Sequence, residues 1–184
     1  GASASIAANP ATIASGAATT GIVTANSTIG GPYSVAASAN GAAPVDFLLT
    51  NTCPAISVNN PASNTGTAGV AFSQTFTQSG GIGTVTFSTV SALPMGVTLS
   101  TAGILSGTPA QTGAFPISVN ATDSNGCMGI GVTYTLIIGC PTITIINPVI
   151  NSGIAGVSFS QTFAQSGGVG TISYSAISPL PAGL

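Results

Sequence analysis

The side chains of this 184-residue chain that could do acid–base or metal chemistry are few and scattered. There is no Lys, Arg or His, and the carboxylates are Asp46 and Asp123 alone. General acid–base catalysis needs such groups side by side, a zinc site needs three or four ligands, and nucleic-acid binding needs Lys and Arg. The sequence therefore predicts no enzyme, no metal or other cofactor and no nucleic-acid partner, and it favours a binding or structural protein.

Three polar positions still match short motifs. Asp123 opens an Asp-Ser-Asn-Gly segment that is similar to part of a calcium loop, but calcium takes six to eight oxygens, usually from several carboxylates. A lone Asp therefore favours a turn at this position. Asn26 and Asn120 each begin an Asn-X-Ser/Thr sequence and are candidate N-glycosylation sites, so a glycan is a candidate partner.

Charge is almost absent, although the chain is hydrophobic enough to bury a core. Charged residues make up 1% of the sequence and hydrophobic residues 44%, whereas roughly a quarter of a typical soluble domain is charged. Near-neutral surfaces promote association, so we expect the chain to pack against copies of itself. A secreted surface adapted to acid or salt is the alternative. The longest apolar run, 128–138, is too short to span a membrane.

An internal repeat organises the chain. The sequence that starts at Cys53 recurs from Cys140 at a constant offset of 87 residues, with 26 of 45 positions identical. This spacing predicts a complete unit at 53–139 and the first half of a second copy at 140–184. Residues 1–52 lack the repeat motifs, but their last part has the strand, Asn-Gly turn, strand layout of 112–138.

The complete unit has the periodicity of β-strands. Apolar and polar residues alternate in two segments, whose apolar positions are Phe115, Ile117, Val119, Ala121 and then Val132, Tyr134, Leu136, Ile138. A third strand is predicted to hold Phe72 and Phe76 on one face. Six or seven short strands with regular turn signals and no helix pattern predict an immunoglobulin-like sandwich. The three tyrosines, Tyr33, Tyr134 and Tyr174, are expected in strands and in the core rather than on a sugar-binding platform.

Several motifs in this unit also resemble a known family. They are Ser-Gln-Thr-Phe at 73–76, the string from Leu93 to Pro109, and Ala-Thr-Asp-Ser-Asn-Gly-Cys at 121–127. With these motifs, residues 53–184 resemble the putative-Ig repeats of bacterial surface proteins, which are cadherin-like sandwiches in tandem arrays. The resemblance implies an all-β fold of tandem immunoglobulin-like β-sandwich domains, an extracellular or cell-surface location, and no catalytic residues. Residues 1–52 look like the C-terminal strands of another bacterial Ig-like domain.

In a sandwich of this type, the first strand begins at the same pole as the loop between the last two strands. Cys53 opens the first strand and Cys127 lies in that loop, so we predict a Cys53–Cys127 disulfide and an oxidising compartment. Cys127 and Cys140 bracket one extended strand of roughly 40 Å, too far for a bond that needs Cα atoms within about 7 Å. Cys140 is therefore expected to be unpaired in this segment. Three free cysteines are the alternative.

Two incomplete units flank the complete one in this interpretation. They could be pieces of a longer tandem array, or neighbouring subunits could complete them by β-strand addition. We therefore expect a structural module of an extracellular filament, stalk or surface array that assembles with copies of itself. The alternatives are an adhesin or lectin module that binds glycans or a host protein, and an accessory domain of a larger secreted enzyme.

Overall fold

The structure is a computed structural model that describes residues 1–6, 15 and 21–180. The predicted segments 1–52 and 140–184 each include residues outside this range. The described residues form strands and turns, and none of them is assigned to a helix. The strands before residue 53 are β1 Ala4–Ile6, β2 Val23–Ala25, β3 Gly30–Ala37 and β4 Val45–Asn51. Eleven strands follow within 53–139, and β16 Thr144–Ile146 and β17 Ala164–Ser166 lie beyond them.

The strands of the complete unit form two groups that share one core. The first group is β5 Ser57–Asn59, β7 Phe72–Thr75, β8 Thr77–Ser79, β10 Val97–Leu99 and β11 Ile104–Gly107. The second is β6 Thr65–Thr67, β9 Thr86–Thr89, β12 Gly113–Ile117, β13 Val119–Thr122, β14 Met128–Ile130 and β15 Tyr134–Gly139. Hydrogen bonds order them as β10-β11-β7 and β5-β8 in one group, and β12-β15-β6 and β14-β13-β9 in the other. This is the predicted Ig-like β-sandwich.

Side chains of both groups meet in a single buried cluster. Phe76 packs its ring edge-on against Tyr134 across the interior, with the ring centroids 5.3 Å apart. The inward positions of the alternating segment 115–121 are buried or half-buried, as the periodicity predicts. The buried apolar residues are Ile56, Val58, Ala68, Phe76, Phe87, Val97, Leu105, Ile117, Val119, Ala121, Cys127, Tyr134, Leu136 and Ile138. All of them lie between residues 56 and 138, so the core belongs to the complete unit.

Two details of the predicted strands are wrong. The segment around Phe76 is two strands, because β7 ends at Thr75 and β8 begins at Thr77, while the Phe76 N–H donates to the carbonyl of Gly103 just before β11. β7 on one side of this break pairs with β11, whereas β8 on the other side pairs with β5. Val132 was predicted to face the core with Tyr134, but it is exposed because β15 begins only at Tyr134.

The second copy repeats one strand pair of the first copy with the same register. β16 and β17 pair antiparallel, with Thr144 opposite Ser166 and Ile146 opposite Ala164. These positions are 87 residues beyond Ser57–Ser79 and Asn59–Thr77, the corresponding pairs of β5 and β8. Local sequence is thus enough to give both copies the same strand pairing at this edge.

The β3–β4 hairpin before the complete unit matches the β13–β14 hairpin within it. Ala37 pairs with Val45 in the first hairpin, and Ala121 pairs with Gly129 in the second, a shift of 84 residues on both strands. The turns agree as well, because the Ala42 N–H donates to the carbonyl of Ala39 as that of Gly126 donates to the carbonyl of Asp123.

In the described residues, no helix is long and apolar enough to cross a membrane.

Candidate functional site

One pole of the complete unit is fixed by a disulfide. Cys53 and Cys127 are bonded with their Cα atoms 5.5 Å apart, across a sequence separation of 74 residues. This is the pair that the sandwich geometry predicts. Cys127 is buried, whereas Cys53 is exposed where the chain enters the unit. The bond therefore attaches the first strand to the β13–β14 turn.

Asp123 organises that turn through its carboxylate. One oxygen, Oδ1, accepts the backbone N–H groups of Asn125 and Cys127, and Oδ2 accepts that of Ile82, all at 2.9 Å. Burial alone would raise the pKa of Asp123, but the N–H donors of Ile82, Cys127, Asn125 and Gly126 outweigh it and hold that pKa below its ordinary value. The sequence predicts the local turn. The bond to Ile82, 41 residues away, was missed.

Cys140 occupies the position in the second copy that Cys53 occupies in the first. It is free and exposed, whereas Cys53 is bonded to Cys127. In the described part of the chain, no group of three or more His, Cys, Asp or Glu residues could hold a metal ion. The structure therefore shows a thiol at the start of the second copy and no bonded partner for it.

The second copy exposes the face that the first copy buries. Its apolar residues on this face are 48% to 59% exposed, and they are Ile143, Ile145, Phe163 and Tyr174. Their counterparts, 87 residues earlier, are only 1% to 9% exposed, and they are Ile56, Val58, Phe76 and Phe87. We call the surface formed by Ile143, Ile145, Phe163 and Tyr174 the open face. Tyr174, predicted to lie in the core, is therefore half exposed.

Exposure on the other side of the same segment is unchanged between the copies. Ile177 is fully exposed, and its counterpart Val90 is 97% exposed in the complete unit. At this outward position the two copies therefore do not differ, unlike at the four positions of the open face. A groove of about 790 Å³ borders the open face at Phe163 and extends past Phe159 and Gln161.

The β3–β4 hairpin carries a second partly exposed apolar face. Because directly paired residues share a face, Tyr33, Val35 and Ala37 of β3 lie on the same side as the β4 residues opposite them, which are Leu49, Phe47 and Val45. Phe47 is 40% exposed and Val45 is 67% exposed. The hairpin and the open face are therefore both apolar surfaces that are only partly covered.

Asn26 is held by hydrogen bonds in the described residues. Its Oδ1 accepts the N–H groups of Ser3 and Thr28 and the Nδ2 of Asn51, and its own Nδ2 donates to the carbonyl of Gly1. A glycan on Asn26 Nδ2 would compete with the last of these bonds. Asn51, which the sequence did not single out, also binds the hydroxyl of Tyr33.

Asn120 lies in the middle of a sheet. It is half-buried in β13, paired with Ser88 of β9 on one side and Ile130 of β14 on the other. Glycosylation of Asn26 and Asn120 stays a prediction. Of the other tyrosines predicted in the core, Tyr134 is buried and donates its hydroxyl proton to the carbonyl of Ser63, while Tyr33 is half-buried.

The flanking segments contact opposite poles of the complete unit. At the disulfide pole, Asn125 Nδ2 donates to the carbonyl of Ser27 at 2.8 Å, and Ile29 packs against the core cluster. At the other pole, a Cβ added to Gly69 would lie 3.0 Å from Cγ2 of Val169 in the second copy. The preceding and following segments thus join the sandwich at its two ends.

Comparison with known proteins agrees with this architecture. Residues 54–139 match the family model of the putative Ig domain. The matched range coincides with the unit that contains the buried core, and for this unit it confirms the resemblance drawn from the sequence motifs. No curated protein matches the chain significantly.

Proposed function

We propose that the chain is a structural module of an extracellular filament, stalk or surface array, and the match of residues 54–139 to the putative Ig domain model supports this proposal. In this proposal, sandwich units stack end to end and copies of the chain join through exposed strand faces. The family is generally non-enzymatic, and the proposal assigns no catalysis to the chain.

The observation that carries the proposal is the placement of contacts at both poles. Ser27 meets the disulfide pole through Asn125, and Val169 approaches the opposite pole at Gly69. Units joined at opposite ends extend in one direction, whereas units joined side by side would form a compact cluster. A series of such joints forms a rod, and a rod holds the structures at its two ends a fixed distance apart.

Surface chemistry supports assembly outside the cell. With a formal net charge of −2 over 184 residues, two copies repel each other weakly, so apolar strand faces can meet. The Cys53–Cys127 bond suits an oxidising compartment, since cytosolic thiols are normally kept reduced. A disulfide-fixed sandwich without Lys or Arg also offers no cleavage site to trypsin-like proteases, as suits long exposure outside the cell.

Electron microscopy of the purified chain tests the proposal. We expect unbranched fibres of constant width whose length increases with protein concentration. Dispersed single particles at every concentration would contradict it. If those particles also bound glycans on an array, the adhesin or lectin alternative would replace the proposal.

A further inference from the structure

The contacts between successive units share one element, a short glycine-rich loop at the disulfide pole. We call residues 80–83, Gly-Gly-Ile-Gly, the tip loop of the complete unit, and residues 167–170, Gly-Gly-Val-Gly, the tip loop of the second copy. We propose that the tip loop is the docking element with which each unit holds the unit before it in a fixed orientation. This inference rests on the proposed function and names the joint from which the rod is built.

The tip loop has the same backbone conformation in both copies. Its three glycines have φ between 74° and 83° in the complete unit and between 79° and 83° in the second copy. Side chains strain this left-handed region, and a Cβ added to Gly80 would also meet the carbonyl oxygen of Ala55. The loop therefore presents a single side chain at its tip, Ile82 in the first copy and Val169 in the second, and both are apolar.

In the complete unit, Ile82 faces the segment that precedes the unit. It lines a cleft of about 370 Å³ whose other lining residues lie at 25–29 and 50–54. Ile82 is half-buried although it stands at the tip of a loop. The neighbouring Asn125 side chain donates a hydrogen bond to the carbonyl of Ser27, which lines the same cleft. The first joint therefore combines an apolar tip with a polar contact beside it.

In the second copy, Val169 makes the equivalent approach to the complete unit. Its Cγ2 lies 3.0 Å from the position that a Cβ would take on Gly69, in the loop that follows β6. That loop is attached to the chain end of its unit, because the Ala68 N–H donates to the carbonyl of Gly139 at 3.0 Å. Gly139 comes directly before the linker into the second copy. The second tip loop thus docks beside its linker, as the first one does.

The two joints are equivalent along the chain. Ile82 and Val169 are 87 residues apart, which is the repeat offset, and the Cys53-Pro54 and Cys140-Pro141 linkers have the same offset. In each joint, a tip loop contacts the preceding unit across a linker that contains a proline, whose ring fixes φ. A tip contact and a stiff linker together restrain the hinge between units, so the stack behaves as a rod rather than a flexible string.

Asp123 and Ser124 fix the tip loop to the body of its own unit. Asp123 Oδ2 accepts the N–H of Ile82 at 2.9 Å, and the Ser124 hydroxyl donates to the carbonyl of Ile82 at 2.7 Å. The same β13–β14 turn carries Asn125, which binds the preceding segment, and leads into Cys127 of the disulfide. The tip loop, the turn and the disulfide therefore form one platform on which the preceding unit rests.

Distance measurement by double electron–electron resonance tests the first joint within a single chain. One nitroxide is attached to the native thiol of Cys140, which is free and exposed after the complete unit. The other is attached to Ala39→Cys, in the exposed turn of the β3–β4 hairpin. The Cys53–Cys127 disulfide occupies the remaining two cysteines. Below the concentration of fibre formation, we expect one narrow distance peak.

Three substitutions show whether that peak depends on the tip loop. Ile82→Ala shortens the tip and keeps both backbone hydrogen bonds, and it should replace the narrow peak by a broad distribution. Ile82→Val copies the second tip loop and should keep the peak. The matched control, Ile130→Ala, removes the same atoms from a 69% exposed position in β14 and should also keep it. A broad distribution in the unsubstituted chain or in either of the last two variants, or a narrow peak in Ile82→Ala, would overturn the joint.

An introduced disulfide tests the second joint. In a Cys140→Ser background, Gly69→Cys with Val169→Cys should form a bond within the chain, because the two side chains meet there. Oxidised glutathione is the oxidant: two thiols lose two protons and two electrons, one S–S bond forms, and two molecules of reduced glutathione leave. Mass spectrometry should find 69–169 linked peptides. The control pair, Gly69→Cys with Val149→Cys, uses a fully exposed valine of the second copy and should give no link. Links in both pairs, or in neither, contradict the inference.

These measurements separate the joint from the proposed function, because they need no fibres. Fibres formed by a chain whose narrow peak survives Ile82→Ala would overturn the joint and leave the proposed function in place. A narrow peak that is lost in Ile82→Ala, in a chain that forms no fibres, would support the joint and contradict the proposed function.

Discussion

Removing the Cys53–Cys127 disulfide should cost the complete unit a large part of its stability. The bond closes a loop with a sequence separation of 74 residues. In the chain-entropy model, a loop of that length is worth roughly 4–5 kcal/mol, because the bond restricts the unfolded chain. Native domains have a net stability of about 5–15 kcal/mol, so the loss should be easy to measure.

The assay is urea unfolding followed by far-ultraviolet circular dichroism, at a concentration below that of fibre formation. The variant combines Cys53→Ala with Cys127→Ala in a Cys140→Ser background, which prevents incorrect disulfides. Cys140→Ser alone is the control, and because Cys140 is exposed and free it should change the unfolding free energy by less than about 0.5 kcal/mol.

A stability loss below about 1 kcal/mol in the double variant would refute the loop-closure reasoning. That result would mean that the β13–β14 turn and the first strand are held together by packing and hydrogen bonds alone. A loss of roughly 4–5 kcal/mol would support the bond as the main restraint at this pole.

Three further changes should act on named contacts. The lowered pKa of Asp123 means that its ionised form stabilises the fold fully above about pH 4 and loses this effect as the pH falls through the folded-state pKa. Asp123→Asn should therefore reduce the unfolding free energy at pH 7 and weaken its fall with acid, whereas Asp46→Asn, at an exposed position, should leave the unfolding free energy at pH 7 unchanged. Gly96→Ala should lower the free energy of unfolding by about 1–3 kcal/mol more than Gly126→Ala. Both glycines have positive φ, but of the two only Gly96 would place an added Cβ against a backbone oxygen. Leu105→Ala should cost about 3 kcal/mol, since Leu105 is fully buried. Urea unfolding measures the free energy of unfolding of each variant, and for the two aspartate variants the measurement is repeated from pH 2 to pH 7. Equal losses of unfolding free energy in the two aspartate variants, or in the two glycine variants, would contradict these assignments.

The sequence predicted those features that depend on local pattern and on the repeat. Alternation placed Ile117, Val119 and Ala121 in the core because a strand directs every second side chain to one face. The cysteine pair followed from the poles of a sandwich and needed no contact information. Sequence pattern could not show the break at Phe76, because it separates two strands with different partners, β11 for β7 and β5 for β8, and those partners are distant in sequence.

The open face is the part of the candidate site that sequence identity concealed. Phe163 lies in the same Ser-Gln-Thr-Phe motif as Phe76, so the local sequence does not distinguish the two positions. Burial depends on the strands opposite, and the described chain brings Tyr134 to Phe76 but no such ring to Phe163. Two segments with the same local motif therefore differ in exposure because of their tertiary neighbours.

Sedimentation analysis over a wide concentration range tests most directly whether chains join head to tail. The account predicts a 17.5 kDa monomer at high dilution and a continuous series of larger species as the concentration rises. A single monomeric species at every concentration would contradict it.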